Sequence, residues 1–273
     1  MYRPPQYRSC KSLSSLFNQE SAPKTAHDLA HRLLEHGWAE SNTSPKVITR
    51  VFLKPKTAAD EPSAVRISLI GDRGFYQYAK LCMRHPSPHF QKVYDHGFLE
   101  NGAVHVTLSE RLHPVPSIRA AKEPLKSELR AFWNLANHIF PYADKNGLHI
   151  KPRRENVISL HAENTDEAEI KARRNHLREV SPSLHDALSV LLQSQLWLSI
   201  TDLHISDPYP DLMPSNIMIR KSGVRGKPPT IVLADPIPQD RQNTELYKPD
   251  AHYWALANVF GPPPIDILRT LSV

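Results

Sequence analysis

The sequence predicts a mixed α+β chain: a small, antiparallel, β-rich N-terminal part with one helix among its strands, then a mostly helical C-terminal part. Two observations carry this expectation. Short β-branched runs punctuated by turn residues fill the chain up to about residue 111, and longer amphipathic runs of helical period follow, interrupted late by one β-hairpin. With 273 residues the chain is long enough for one large or two modest domains, with a core that needs no metal or disulfide. Apolar residues at 40% and charged residues at 23% exclude a wholly disordered or fibrous chain.

Residues 1–24 are read as an N-terminal extension: Arg3, Arg8 and Lys11 sit among serines with no acid before Glu20, a composition shared with targeting leaders but expected of a frayed terminus. From Thr25 to His36, Ala26, Leu29, Ala30, Leu33 and Leu34 recur at helical spacing and Gly37 gives a stop. Val47–Leu53 and Ala64–Ile70 read as strands, Phe75–Arg84 as a short helix, and Gln91–His96 and Val104–Leu108 as further strands around a turn at Glu100-Asn101-Gly102. Residues 25–111 therefore form the β-rich unit. In residues 112–273, Lys122–Phe140 and Ser183–Ile200 read as helices, Lys151–Arg178 as a heavily charged stretch, Asn216–Arg220 with Thr230–Ala234 as a hairpin, and Tyr247–Phe260 as a closing helix stopped by Pro262–Pro264.

No run of eighteen apolar residues occurs, so no membrane partner is expected. Two cysteines, Cys10 and Cys82, cannot build a disulfide framework or a cysteine-rich zinc site, which fits a reducing, cytoplasmic setting, with a secreted or host-delivered role as the alternative. His27 and His31 have the spacing of a metal pair but no third ligand in sight. The net charge of +6 favours anionic partners. Nucleic acid is not expected among them, because the basic residues do not interleave with aromatics and no reader motif is present. The basic run Lys151-Pro152-Arg153-Arg154 is read as a solvated loop.

The chemistry concentrates in Asp211-Leu212-Met213-Pro214-Ser215-Asn216-Ile217-Met218-Ile219-Arg220 and Ile231-Val232-Leu233-Ala234-Asp235-Pro236. Asp211 and Asn216 lie in a loop entering one strand, and Asp235 leaves the paired strand on the same side. A hairpin thus gathers two carboxylates and a carboxamide at one edge. Hard oxygen donors of this kind suit Mg²⁺, which takes one or two carboxylates together with nucleotide phosphates and water. A carboxylate not used by metal can accept the proton of an attacking hydroxyl.

These two segments resemble the catalytic loop and the metal-binding loop of the protein kinase-like superfamily. They are most similar to its divergent branch of bacterial and phage kinase-like proteins and aminoglycoside-type phosphotransferases. The resemblance implies a two-lobed protein kinase-like fold with a shortened C-lobe. It implies Asp211 as catalytic base, Asn216 and Asp235 as ligands of Mg²⁺ (or Mn²⁺), and ATP as the phosphoryl donor. Val104–Leu112 resembles the last N-lobe strand and hinge, so that backbone groups of Ser109, Glu110, Arg111 and Leu112 would meet the adenine edge; otherwise Glu110 and Arg111 are solvated charges after a strand. Pro88-His89-Phe90-Gln91-Lys92-Val93-Tyr94 resembles the segment after the N-lobe helix of the phage-like members.

Four departures accompany the likeness. Met213 stands where the catalytic loop usually has His or Lys. Arg66, in Ala64-Val65-Arg66-Ile67, stands where a phosphate-binding lysine is expected, with Lys54 as a possible substitute. No glutamate occurs between Asp72 and Leu99 to pair with it. The segment Asn42–Val47, where a phosphate-covering loop should fall, has no glycine to let backbone approach phosphate closely. The expected function is an ATP- and Mg²⁺-dependent phosphotransferase, first of all a divergent Ser/Thr protein kinase with an unidentified protein substrate. A pseudokinase acting as a binding or regulatory module and a small-molecule phosphotransferase are the alternatives.

Overall fold

The computed structural model describes residues 13, 16, 23–41, 49–54, 63–68, 73–139, 166–202, 205, 209–212, 216–222, 226–237 and 246–271. The chain divides into two compact units, Met1–Pro86 with Gln91–Arg111, and Ser87–Phe90 with Leu112–Ser272. Among the described residues no helix is long and apolar enough to cross a membrane.

The first unit opens with α1 (Ala26–Glu35), capped by the Thr25 hydroxyl, which accepts from the Asp28 amide at 3.0 Å. It continues through β1 (Ala39–Glu40), β2 (Thr49–Leu53), β3 (Ala64–Ser68), α2 (Arg73–Arg84), β4 (Val93–Leu99) and β5 (Val104–Ser109). The strands form one antiparallel sheet in the order β1-β2-β3-β5-β4. The register pairs Phe52 with Val65 and Val65 with Leu108, so the period-two alternation puts these side chains on one face. There they join Leu13, Leu29, Leu33 and Trp38 in a single apolar core. Arg66, His105 and Thr107 alternate to the opposite face, where the aromatic rings of α2 lie.

The sequence pattern places β4 over Gln91–His96; it starts at Val93, paired with Ser109, and runs on to Leu99 because Phe98 and Leu99 find partners in His105 and Val104. The turn after it is a 3₁₀ helix, Glu100–Gly102, with Glu100 at φ 51°. The Glu100 carboxylate accepts from the Ala26 amide at 2.8 Å, placing negative charge at the N-terminus of α1.

The second unit contains β6 (His113–Pro114), α3 (Leu125–Ile139), α4 (Glu167–Val180), α5 (Pro182–Thr201), β7 (Ile217–Arg220), β8 (Thr230–Leu233), α6 (Ala251–Phe260) and α7 (Ile265–Leu271). Three short strands make the sheet β6-β7-β8. Of these β6, like β1 in the first unit, is not expected from the sequence pattern. The helix α4 falls largely in the heavily charged stretch Lys151–Arg178, to which sequence reading assigned no element. Asp166 caps it by accepting from the amides of Ala168 and Glu169, and only Ile170 and Leu177, two turns apart, anchor its apolar side. The helix α5 is buried almost all round, and two of its buried serines bond back to their own helix: Ser189 donates to the His185 carbonyl and Ser194 to the Val190 carbonyl. Arg174 of α4 reaches His185 Nε2 at 3.0 Å and the Val259 carbonyl at 2.6 Å, tying α4 to α5 and α6. A last helix, α7, follows the prolines expected to end the chain's regular structure. Pro264 precedes its first turn, a position where a missing N–H is tolerated, and its carbonyl accepts from the Leu268 amide.

Candidate functional site

β7 and β8 pair from Ile217↔Leu233 to Arg220↔Thr230, with Ile217 and Ile219 turned into the core of the second unit. That register fixes what lies beyond the strand ends. Asn216 immediately precedes β7 and faces Ala234, whose amide donates to the Asn216 carbonyl at 2.7 Å. The Asp211 amide donates to the Pro236 carbonyl at 2.7 Å, and Asn216 Nδ2 donates to the Asp211 carbonyl at 3.0 Å. Asp211, Asn216 and Asp235 are therefore gathered at one end of one hairpin by three hydrogen bonds, and each is half-buried. Asp235 has φ 53°, a left-handed conformation that costs a non-glycine residue about 1–2 kcal/mol. Strained backbone of this kind concentrates at functional sites, where surrounding contacts hold it in place.

The donor set fits a hard cation. The Nδ2 bond directs the Asn216 amide's donor to the Asp211 carbonyl, and Asp211 and Asp235 are the two acids at the same hairpin end. Among the described residues no cluster of three or more His, Cys, Asp or Glu could hold a metal alone, and His27 and His31 are exposed, His31 pairing with Glu35 at 3.3 Å. Two carboxylates and an amide match Mg²⁺, which leaves positions for phosphate and water, and do not match zinc.

A tetrapeptide that sequence reading did not connect to this hairpin belongs to it. Ser87–Phe90 runs beside β8, with Phe90 bridging Leu233 in parallel and the Leu233 amide donating to the His89 carbonyl at 2.9 Å. His89 is buried, with Nδ1 2.8 Å from the Ile231 carbonyl and Nε2 2.9 Å from the Ser183 hydroxyl. Burial holds its pKa below the ordinary value, so the neutral ring donates from Nδ1 and accepts at Nε2. Arg220 donates to the Pro88 carbonyl at 2.6 Å and to the Phe90 carbonyl at 2.8 Å. The only sequence signal was the charged residue ending the alternation Ile217-Met218-Ile219-Arg220.

The residues expected to touch nucleotide from the first unit are placed as follows. Arg66 lies on β3 with its guanidinium 3.9 Å from the ring centroid of Phe75 on α2, and its Nε is 3.3 Å from the Ser68 hydroxyl. Lys54 follows β2, its amide donating to the Ser63 carbonyl. Ser109 is buried at the end of β5, its carbonyl accepting from the Ser63 amide at 2.9 Å. Glu110 is buried, not a solvated charge. Its amide donates to the Lys92 carbonyl at 3.0 Å, and its carboxylate accepts from the Lys92 amide at 2.8 Å. The Arg111 amide donates to the Ser63 hydroxyl at 2.8 Å, while its side chain is exposed. The amides of Glu110 and Arg111 are thus already engaged within the first unit. Leu112 opens the second unit.

The segment Asn42–Val47, Met213–Ser215, Lys151–Arg154 and Cys10 lie outside the described residues. Burial of Cys82 pushes its thiol up to about 12, which disfavours the reactive thiolate.

The fold and site together define a class only in coarse terms: a mixed α+β chain with a sheet-and-helix unit and a mostly helical unit carrying a carboxylate–carboxamide hairpin. Comparison with known proteins found no matching family model, no similar curated protein and no similar solved structure.

Proposed function

We propose that the chain is an ATP- and Mg²⁺-dependent phosphotransferase of the protein kinase-like superfamily, acting on hydroxyl groups of proteins. The observation that carries this reading is the lacing of Asp211, Asn216 and Asp235 to one hairpin end, with Asp235 held at positive φ. Asp211 accepts the proton of the acceptor hydroxyl as its oxygen bonds to the γ-phosphorus. The bond between that phosphorus and the β–γ bridging oxygen breaks, and ADP leaves with the electron pair. Asn216 and Asp235 would hold the divalent ion, which would offset the negative charge of the phosphates. Incubation of the purified chain with radiolabelled ATP and Mg²⁺ or Mn²⁺ should give labelled protein, by autophosphorylation or transfer to lysate proteins. Asp211→Ala should lower the label at least a hundredfold. Equal labelling, or none from either, removes the enzymatic reading.

A specific observation favours a second reading, a nucleotide-binding pseudokinase. Arg66 is stacked on Phe75, and α2 offers no glutamate to hold a cation by its charge. In that case ATP stabilises the chain against heat without any phosphoryl transfer.

A further inference from the structure

We propose that Arg220 and His89 are positioning residues for the divalent-ion site, acting by fastening Ser87–Phe90 along β8 so that the strand delivers Asp235 to a fixed place. The inference rests on the reading of Asp235 as a metal ligand and adds the device that orients it. A hairpin of two four-residue strands is weak alone, and here its β8 edge would present unpaired backbone groups. Ser87–Phe90 covers that edge. The Leu233 amide, one of the last before the Ala234-Asp235 turn, donates to the His89 carbonyl, and the His89 ring takes the Ile231 carbonyl two residues earlier. The ring thereby supplies a second rung that the backbone of so short a segment does not.

Arg220 completes the fastening from the other strand. It ends β7 opposite Thr230, and its guanidinium meets the carbonyls of Pro88 and Phe90 on either side of His89. Two donors from one planar group fix both the position and the direction of the tetrapeptide, which an ammonium cannot do. Ser183, at the start of α5, holds the outer nitrogen of the same histidine. β8 is therefore clamped on both edges, by β7 and by the tetrapeptide, immediately before a residue whose backbone is strained. Groups that orient metal ligands typically change metal affinity ten- to a hundredfold when removed.

The test uses the full chain and two measurements on wild type, Arg220→Met, Arg220→Lys and His89→Gln. The first follows amide hydrogen exchange at Leu233 and Ala234 without ligand. The second titrates MgCl₂ at fixed ATP and reads the Mg²⁺ concentration giving half of the ATP-dependent thermal stabilisation. Expected are faster exchange at Leu233 and a Mg²⁺ requirement raised about tenfold in Arg220→Met, with partial recovery in Arg220→Lys. His89→Gln should show the same direction if Arg220→Met does not fold. Variants that melt earlier but need the same Mg²⁺ would make the two residues merely structural and overturn the proposal while leaving the phosphotransferase reading intact. A wild type that shows no stabilisation by ATP and Mg²⁺ would remove that reading and this inference with it.

Discussion

The two units handle their charged groups in opposite ways. The second gathers acids and an amide at a strand end, tied by backbone bonds that leave each group half-buried. The first lays its central cation, Arg66, against an aromatic ring and buries His96, His105 and Glu110 around the same sheet. The acids stand at a strand end, held through hydrogen bonds to backbone carbonyls. The cation side is built from packing as much as from charge.

The largest effects should separate these two halves. Asp235→Ala should abolish the Mg²⁺-dependent part of ATP stabilisation, seen as loss of the difference between melting midpoints with and without Mg²⁺ at fixed ATP. Arg66→Met should act on both ledgers at once: it weakens ATP affinity about tenfold and costs about 1 kcal/mol of stability through the lost cation–π contact with Phe75. Phe75→Leu should reproduce the stability loss while leaving much of the ATP effect. If Arg66→Met lowers stability but leaves ATP binding untouched, Arg66 is packing alone, and the first unit contributes no phosphate cation at that position.

A smaller contrast lies in acid sensitivity. Complete burial, with the neighbouring His96 and Arg66 adding like charge, pushes the His105 pKa well below 6.5, so the folded first unit keeps this ring neutral. The unfolded chain binds that proton once the pH falls below about 6.5, so more protons are bound in the unfolded state and stability drops with falling pH. The slope is up to about 1.4 kcal/mol per pH unit for each such histidine, and it ends once the pH passes below the folded pKa. His89, His138, His185 and His252 in the second unit are shifted in the same direction, with burial the first cause in each. Urea unfolding between pH 7 and pH 5 should be steeply pH-dependent. His105→Phe, which keeps a ring among Phe75, Tyr76 and Phe98, should flatten part of that dependence.

Sequence pattern reached the elements whose apolar period is dense. α1, α3, α5 and the β7–β8 hairpin follow from residues such as Leu29 and Leu33, Leu129 and Phe132, or Ile217 and Ile219, which repeat at the spacing of their own element. It missed α4, where charge outnumbers the two anchoring residues Ile170 and Leu177, and α7, where prolines that begin a helix read as the end of one. In the site, Asp211, Asn216 and Asp235 were legible because strand ends fix their neighbours. The partnership of His89 and Arg220 was not, since it joins positions more than a hundred residues apart through side chains meeting backbone carbonyls. No local spacing encodes such a contact. The engagement of the Glu110 carboxylate by the Lys92 amide also escaped: a charged residue after a strand is normally solvated, and it is the β4–β5 pairing of Val93 with Ser109 that puts Lys92 beside Glu110.

The smallest contrast is between two helix caps. Thr25 gives one hydroxyl acceptor to the Asp28 amide at 3.0 Å, and the same turn is further served by the Glu100 carboxylate on the Ala26 amide. Asp250 caps α6 with a carboxylate that accepts from the Tyr253 amide at 2.8 Å and from the Tyr247 hydroxyl at 2.7 Å. Removing the Thr25 hydroxyl leaves the Glu100 carboxylate to satisfy one of the orphan amides, so Thr25→Ala should cost well under 1 kcal/mol. Asp250→Ala strips the cap, its negative charge at the positive helix end, and the tyrosine's partner together, and should cost about 1–2 kcal/mol. Urea midpoints for the two variants rank them. Equal losses would mean that the carboxylate of Glu100 does not share the capping of α1, and a double variant Thr25→Ala, Glu100→Gln would then show simple additivity in place of the coupling expected here.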